Sequence, residues 1–454
     1  MRLTDFVHKI FHSHPDHINP AANAMDLIKF KVVVVEFSEN IESNSGEVIA
    51  RLLSSKDGLE VSYFDEPFSK TFLNLESRTL FDLIDRGQTI LDKTQADVLI
   101  WGYREGSKIR LNFQTEKQYE NEDCAFVSLL DSLYIPAELL SSGQPIPPAV
   151  GNLIYGAVVS SLNTFSREKK IQKRYLLKRI ISFLTKDDSA KNLSIEYMPY
   201  IMNFLGIIYL SYCFDRGQGK DFKIVKNLFD TALKHQDLIT APIHLGCIYN
   251  HLGQLYDCST KYIPKQSARH FKEAINYYRQ AQRYLSKYNY PYDYGYISYK
   301  LSHLFLSYWL YKEDIQALRD AVFQLRETEK IYTLSLFPEF WAQIQSELGY
   351  MLGLLGNFTK SEEISELAIS SYKNQQKVIT ERRKPLEWAK SQEHIGEIYY
   401  RLGKNAGDKA LLEEALEYFH DALYVFENAD NIEETRKITA DIAKTSQSLN
   451  LLEE

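Results

Sequence analysis

The segment RGQGKD at residues 216–221 has the residue types that cradle a phosphate group, two glycines followed by a lysine. A Walker A loop also needs a glycine five residues before its last glycine and a serine or threonine directly after the lysine. Phe214 and Asp221 occupy those two positions here. The segment also lies between two predicted helices and does not follow a strand, so we interpret it as a turn between helices.

Four histidines lie close together near the start of the chain: His8, His12, His14 and His17. Two of them are one helical turn apart, a spacing at which imidazoles share a metal ion. Pro15 would interrupt such a helix, and no cysteine accompanies the cluster. We therefore interpret residues 1–29 as a leader exposed to solvent, and we expect no bound metal.

No enzyme motif accompanies these candidates. The sequence contains no GxSxG, HExxH or EF-hand pattern, and its acidic pairs are typical of exposed helix faces. The four cysteines form neither a CxxC pair nor a disulfide framework; they are Cys124, Cys213, Cys247 and Cys258. We expect a protein that is not an enzyme and has no cofactor.

Charge and composition argue against nucleic acid as a general partner and against a membrane protein. The 454 residues include 53 Lys and Arg against 60 Asp and Glu, and the formal net charge of −7 argues against general binding of nucleic acid. Hydrophobic residues make up 44% of the chain, as is typical of globular proteins. No stretch reaches the ~18 apolar residues of a membrane span, and no signal-peptide core is evident. We expect a cytoplasmic protein.

One basic stretch stands out against the negative net charge. Seven residues from Arg167 to Arg179 are Lys or Arg, and only Glu168 is acidic. A basic amphipathic helix contacts lipid or nucleic acid, or it links two domains with its charges in water. Because no Gly-rich element accompanies the charges, we favour a linking helix and assign residues 166–190 to it.

Residues 30–165 alternate between strand and helix patterns, which predicts a small α/β domain. KVVVVEF is continuously β-branched, as in a strand that is covered on both faces. Further predicted strands are LEVSYF, ADVLIWG, KIRLNFQ and CAFVSL, and the middle two form a hairpin. Predicted helices are GEVIARLLSS, TLFDLIDRGQTILDKTQ and NLIYGAVVSSLNTF.

Helical periodicity replaces the strand signals after residue 165 and continues to the C-terminus. Five helix openings align on a small residue, namely Gly206, Gly246, Ser302, Gly349 and Gly396. Glycine in a helix interior costs up to ~1 kcal/mol, so its repetition indicates close helix packing. Each opening is followed by a second helix with small residues, which predicts helix-hairpin repeats over residues 191–450. A single final helix, ETRKITADIAKTSQSL, is predicted to cap them.

The repeats resemble tetratricopeptide repeats (TPR), whose motif is Leu-Gly-x-x-Tyr on the first helix and Ala-x3-Phe-x2-Ala on the second. The residues that carry the motif are Leu205, Gly206, Tyr209, Leu245, Gly246, Tyr249, Ala415, Phe419 and Ala422. Residues 385–423 resemble a longer bacterial variant, whereas the third repeat departs from the motif at Ser302. The resemblance implies an α+β multidomain chain in which the α/β domain precedes an all-α superhelical solenoid. The α/β domain resembles TolB N-terminal and CsgG-like domains through VVVVEF, ADVLIWG and the hairpin.

In TPR proteins, the inner groove is lined by first-helix positions that do not pack between repeats. Transferred from each Leu-Gly pair, these positions are Tyr200, Asn203, Asn250, His251, Tyr296, Tyr299, His303, Gln343, Tyr350, Lys390, Glu393, Glu397, Tyr400 and Arg401. They account for part of the 31 tyrosines, since tyrosine suits a recognition surface; packing between repeats is the equally weighted alternative. The set lacks the Lys and Asn cluster with which TPR chaperone cofactors hold a terminal carboxylate, which favours an extended or helical peptide.

Two functions from different classes follow from these patterns. The main prediction is a non-enzymatic scaffold or adaptor whose TPR groove binds a protein or peptide segment. The alternative is a ligand or nucleotide sensor in the α/β domain, with the TPR array as its output. No nucleic acid is expected as a partner, and the patterns leave the oligomeric state open.

Overall fold

The computed structural model describes residues 28–37, 44–68, 77–116, 126–141, 145–164, 166–186, 194–213, 221–262 and 267–452. The histidines of the predicted leader lie outside the described residues, and so do residues 216–220 of the RGQGKD segment.

A five-stranded sheet forms the first part of the described chain. Its elements are β1 (Phe30–Glu36), α1 (Ser45–Ser54), β2 (Leu59–Pro67), α2 (Ser77–Thr94), β3 (Val98–Glu105), β4 (Lys108–Gln114) and β5 (Leu133–Pro136). The strand order is β2-β1-β3-β4-β5; β1 is parallel to β2 and β3, whereas β4 is antiparallel to β3 and β5. The predicted hairpin is confirmed. The strand expected in CAFVSL is wrong, because residues 126–132 leave the sheet and β5 begins only at Leu133.

Strand β1 is buried on both faces, which explains its run of valines. Val32 and Val34 belong to a core that includes residues of α1. Val33 and Val35 point to the opposite face and pack with residues of α2 and β3. Successive side chains of a strand alternate between faces, so a strand that is covered on both sides needs an unbroken apolar run.

Helices make up most of the remaining described chain. They are α3 (Glu138–Ser141), α4 (Pro148–Ser161), α5 (Arg167–Lys186), α6 (Met198–Cys213), α7 (Phe222–Lys234), α8 (Pro242–Tyr262), α9 (Ser267–Tyr284), α10 (Pro291–Lys312), α11 (Ile315–Glu329), α12 (Pro338–Thr359), α13 (Glu362–Gln375), α14 (Pro385–Ala406), α15 (Lys409–Asn428) and α16 (Ile432–Asn450).

From α6 to α15 the helices alternate between first helices (α6, α8, α10, α12, α14; the A helices) and second helices (the B helices). A and B helices pack directly in α6–α7, α8–α9, α12–α13 and α14–α15, and α16 packs on α15 as the final helix. The fold is thus a small α/β domain followed by all-α, TPR-like helical repeats. This confirms the predicted fold class.

The chain divides into two compact units, Met1–Asp293 (the N-terminal unit) and Tyr294–Glu454 (the C-terminal unit). In the N-terminal unit, one hydrophobic core contains residues of the sheet and of α4 to α8. The secondary structure changes near residue 165, but this core continues across that point. The basic helix α5 buries Leu176 in the core, and its Lys169 lies 2.5 Å from Asp97. Its apolar side therefore packs inward and at least one of its charges is paired.

Glycines set the distance between A and B helices. In the C-terminal unit, a Cβ added at Gly349 would lie 2.7 Å from the Tyr372 ring. A Cβ added at Gly396 would lie 2.7 Å from the Phe419 ring. Carbon atoms that are not bonded to each other do not approach so closely, so these positions require a residue without a side chain.

The second repeat has a different anchor from the one expected. Gly253, and not Gly246, faces an aromatic ring in the middle of the B helix, since its added Cβ would lie 2.5 Å from Tyr278. Gly246 lies two turns earlier, against the end of α9. Residues 245–256 contain Leu-Gly-x-x-Tyr twice, so the motif alone does not distinguish the two glycines. With Gly253, the anchors at positions 206, 253, 302, 349 and 396 are almost evenly spaced.

Two glycines of α12 provide a matched test of this packing. Gly349→Ala is expected to destabilise the protein by about 1–3 kcal/mol, because its methyl group overlaps the Tyr372 ring. Gly353→Ala is expected to stabilise it by up to ~1 kcal/mol, because its nearest contact would be 3.7 Å and alanine favours the helix. Urea unfolding followed by circular dichroism measures both changes. Shifts of equal sign and size would contradict the packing argument.

Candidate functional site

The first four predicted groove residues are buried, and three of them contact the protein's own α/β domain. Tyr200, Asn203, Asn250 and His251 lie on α6 and α8 in the N-terminal unit, and all four are buried. Residues 126–134 (the internal segment) comprise the last part of the connection from β4 and the first two residues of β5, and they cover this part of the A helices. These positions therefore do not line an open groove.

The carboxylate of Asp131 is the centre of this contact. Asn203 Nδ2 donates a hydrogen bond to Asp131 Oδ1 at 3.2 Å, and His251 Nε2 lies 3.0 Å from both carboxylate oxygens. The backbone N–H of Ser128 donates to Asp131 Oδ2 at 2.9 Å. A buried carboxylate requires several donors, and residues from two A helices supply them here.

Cys247, His251 and Asp131 together have the residue types of a nucleophilic site. Burial, followed by the charge of Asp131, raises the pKa of the Cys247 thiol well above its usual range. The thiol is therefore protonated, whereas a nucleophilic cysteine needs a lowered pKa and access to solvent. The cluster positions the internal segment and provides no evidence for catalysis.

A second contact of the internal segment is aromatic. The ring of Tyr134 lies 4.4 Å from that of Tyr200, and the ring of His244 stands edge-on to both, at 5.6 and 5.3 Å. Burial, assisted by the charge of Arg110, lowers the pKa of His244 to about 3. His244 is therefore neutral near pH 7.

One groove residue was missed by the sequence analysis. Gln254 Oε1 accepts a hydrogen bond at 3.0 Å from the backbone N–H of Phe126, at the start of the internal segment. Measured from Gly253, Gln254 has the same repeat position as His303, Tyr350 and Glu397. The second Leu-Gly-x-x-Tyr motif, residues 252–256, was the signal that would have identified it.

In the C-terminal unit, the structure brings several predicted groove residues together between α10 and α12. Tyr299 Oη donates to Glu347 Oε1 at 2.8 Å, and His303 Nε2 lies 3.1 Å from Glu347 Oε2. Gln343 Nε2 donates to Tyr299 Oη at 2.9 Å. Glu347 was not predicted, although it is the acceptor that joins the set. Tyr296 lies buried on α10.

A charged network joins α14 to α16. The fully buried Glu393 carboxylate is paired with Lys390 at 2.9 Å and with Lys437. Lys390 also contacts Glu434 at 2.6 Å, and Lys437 lies 3.5 Å from Glu397. Burial alone would lower the pKa of Lys390, but its hydrogen bonds to Glu434 and Glu393 raise it overall. Both lysines are therefore positively charged.

The three remaining predicted groove residues of the C-terminal unit differ in their exposure to solvent. Tyr350 is the most exposed of the set, with 44% of its surface accessible. Arg401 is partly exposed, and one of its guanidinium nitrogens would lie 3.8 Å from a Cβ added at Gly353. Tyr400 is buried. In the C-terminal unit the predicted set thus includes accessible residues, unlike its counterpart on α6 and α8.

The sensor alternative places a ligand in the α/β domain, and the carboxyl end of β1 is one position at which α/β sheets bind ligands. Glu36 lies there and accepts hydrogen bonds from the backbone N–H groups of Phe37, at 2.8 Å, and Gly46, at 3.0 Å. Gly46 is in the first turn of α1, where helix N–H groups bind phosphate in nucleotide sites. At this helix N-terminus the Glu36 carboxylate already occupies the position that a phosphate would take.

Metal ligands are not clustered in the part of the chain that the structure describes, where no group of three or more His, Cys, Asp or Glu side chains is arranged to hold an ion. Within the same residues, no helix is long and apolar enough to cross a lipid bilayer.

The Asp131 contact predicts a large effect of one substitution. Asp131→Ala is expected to destabilise the protein by about 3–5 kcal/mol, because buried donors on Asn203, His251 and Ser128 lose their acceptor. Asp92→Ala on the exposed side of α2 is the control and should change stability by no more than ~0.5 kcal/mol. Urea unfolding of both variants measures the difference. A change in Asp131→Ala as small as that of the control would contradict the assignment.

The buried His244 predicts a pH dependence of stability. Its pKa is lowered from 6.5 in the unfolded chain to about 3 in the folded protein, so the unfolded state binds a proton first as the pH falls. The contribution of His244 is therefore complete above pH 6.5 and is lost at about 1.4 kcal/mol per pH unit below it. His244→Gln should show a correspondingly shallower loss of unfolding free energy between pH 6 and 4 in urea titrations. Identical slopes for the two proteins would count against this description.

The chain is similar in structure to a solved protein but matches no family model in sequence. No protein-family model matches the chain, and no curated protein matches it. A similar solved structure is the crystal structure of a Signal Transduction ATPase with Numerous Domains (STAND) protein with a tetratricopeptide repeat sensor, from Pyrococcus horikoshii. The sequence identity is 17% and the TM-score 0.34, and the alignment covers 69% of this chain and 46% of that chain. The chain therefore spans less than half of the length of that protein.

Proposed function

We propose that this protein is a non-enzymatic, cytoplasmic interaction scaffold that binds a peptide or protein segment on the A helices of its C-terminal unit. The observation that carries the proposal is the internal segment. On α6 and α8, the inner positions of the A helices hold a non-helical stretch of chain through side-chain and backbone hydrogen bonds. A face that binds one segment within the same chain has the chemistry to bind another from a partner.

The repeat position of Gln254 indicates which residues would contact that partner. Gln254 binds a backbone N–H of the internal segment, and the same repeat position in the C-terminal unit is occupied by His303, Tyr350 and Glu397. All three are at least partly accessible. Each offers a hydrogen-bonding group, as Gln254 does.

The accessible part of α12 combines polar and apolar groups. Gln343, Glu347, Tyr350 and Phe358 recur at intervals of four, three and eight residues, which places them on one side of the helix. Tyr350 and Phe358 are exposed, at 44% and 54%. Aromatic residues supply much of the binding energy at protein interfaces, so a segment with an apolar anchor and free backbone groups fits this face.

The sensor alternative has less support. A nucleotide phosphate at the first turn of α1 would have to displace the Glu36 carboxylate from the backbone N–H groups of Phe37 and Gly46. It would also meet the negative charge of Glu36 and the nearby Asp65. Both effects oppose anion binding at that position.

Tyr350 allows a direct test with little risk to folding, because it is exposed. We expect Tyr350→Ala to weaken binding of partners captured by the full-length protein by about tenfold or more. Tyr424→Ala, which removes a tyrosine that is even more exposed, from the B helix α15, is the matched control and should bind as the wild type does. Affinity capture with quantitative mass spectrometry compares the three proteins.

A photoreactive phenylalanine derivative at position 350 or at position 424 provides a second measurement. Crosslinking of the same partner from position 350, and not from position 424, would support the proposal. Partners that bind all three proteins equally and crosslink at neither position would refute it.

A further inference from the structure

A buried tyrosine hydroxyl near the end of α14 lacks a hydrogen-bond partner. Only 8% of the surface of Tyr400 is exposed, and its Oη atom is buried without a partner among the described residues. Leaving a buried hydroxyl unpaired costs about 1–3 kcal/mol, so such a group is expected to have a use.

Two lysines lie over the ring of Tyr400. Lys444 Nζ lies 4.7 Å from the centroid of the Tyr400 ring, and Lys404 Nζ lies 5.8 Å from it. Lys404 is one helical turn after Tyr400 on α14, and Lys444 is on α16. Both lysines are exposed, and neither forms an ion pair within the described part of the chain. Lys390 and Lys437 on the same two helices are both paired with glutamates.

A third polar neighbour of the hydroxyl is Ser448 on α16. Ser448 Oγ donates its hydrogen bond to the backbone oxygen of Lys444 at 3.1 Å. Burial raises the pKa of Tyr400, but Ser448, Lys404 and Lys444 beside its hydroxyl outweigh burial and lower the pKa overall. The surroundings of the hydroxyl therefore favour a negative charge.

We propose that Tyr400, Lys404 and Lys444 form a subsite for an anionic group, either a carboxylate or a phosphate. The phenol would donate one hydrogen bond to an oxygen of the anion, and the two ammonium groups would supply charge-assisted hydrogen bonds. Tyr400 lies on the same A helix as Glu397, so the subsite rests on the proposed function for the source of its anion. That source is an acidic or phosphorylated residue of the bound segment.

Small anions test the subsite without any partner. The full-length protein with ¹³C-dimethylated lysines is titrated with inorganic phosphate and, separately, with acetate, at constant ionic strength. Lys404→Arg and Lys444→Arg assign the two lysine signals. We expect both signals to shift saturably, and we expect Tyr400→Phe, which removes only the hydroxyl, to weaken binding about tenfold.

Lys312 and Tyr311 provide the matched control, because Lys312 Nζ lies 4.4 Å from an exposed tyrosine ring. Its signal should shift only weakly and without saturation, and Tyr311→Phe should leave the phosphate affinity of the Tyr400 subsite unchanged. Lys444→Gln is a second variant that leaves the buried residues intact; it should also weaken binding.

The outcomes separate this proposal from the binding function. Saturation by phosphate alone assigns a phosphorylated residue to the subsite, and saturation by acetate assigns a carboxylate. Shifts without saturation, or equal affinities of the wild type, Tyr400→Phe and Lys444→Gln, would overturn the subsite. Failure of the subsite would leave the crosslinking from position 350 unaffected, and that crosslinking tests the proposed function independently.

Discussion

Two helices can lie close together only where neither has a bulky side chain at the point of contact, and the repeats depend on this condition. On α12 the small residues Ala342, Gly349 and Gly356 recur every seven residues, which is about two helical turns. They form a stripe against which the B helix packs the Tyr372 ring. On α14 the same stripe is Ala389, Gly396 and Gly403. Since the stripe sets which side of each A helix meets its B helix, it also sets which side is left for binding.

Buried or partly buried carboxylates then hold neighbouring A helices in register, and one of them joins the last A helix to the final helix. Asp131 joins α6 to α8, Glu347 joins α10 to α12, and Glu393 joins α14 to α16. Contacts between α10 and α12, and between α14 and α16, connect residues 44 positions apart, such as Tyr299 with Gln343 and Lys390 with Glu434. Because a carboxylate with several donors tolerates only one geometry, these sites specify alignment more than they add stability.

Local patterns predicted the elements of the fold, and the errors arose where distant segments meet. The valine run of β1 and the glycine anchors have periods that can be read directly. The burial of Asn203 and His251 depends on Asp131, which is far away in the sequence, so no local signal indicates it. The choice between Gly246 and Gly253 required the position of Tyr278. Tyr350 is exposed and His303 is partly exposed, and their role as groove residues stays a prediction.

The internal segment has a concentration advantage over any soluble competitor. Because residues 126–134 are tethered by β4 and β5, their local concentration at α6 and α8 is in the millimolar range typical of short connections. A free competitor of equal intrinsic affinity at micromolar concentration would displace them in only about one molecule in a thousand. The contact positions on α6 and α8 are thus occupied by the chain itself in nearly every molecule, and the internal segment holds the sheet against these two helices.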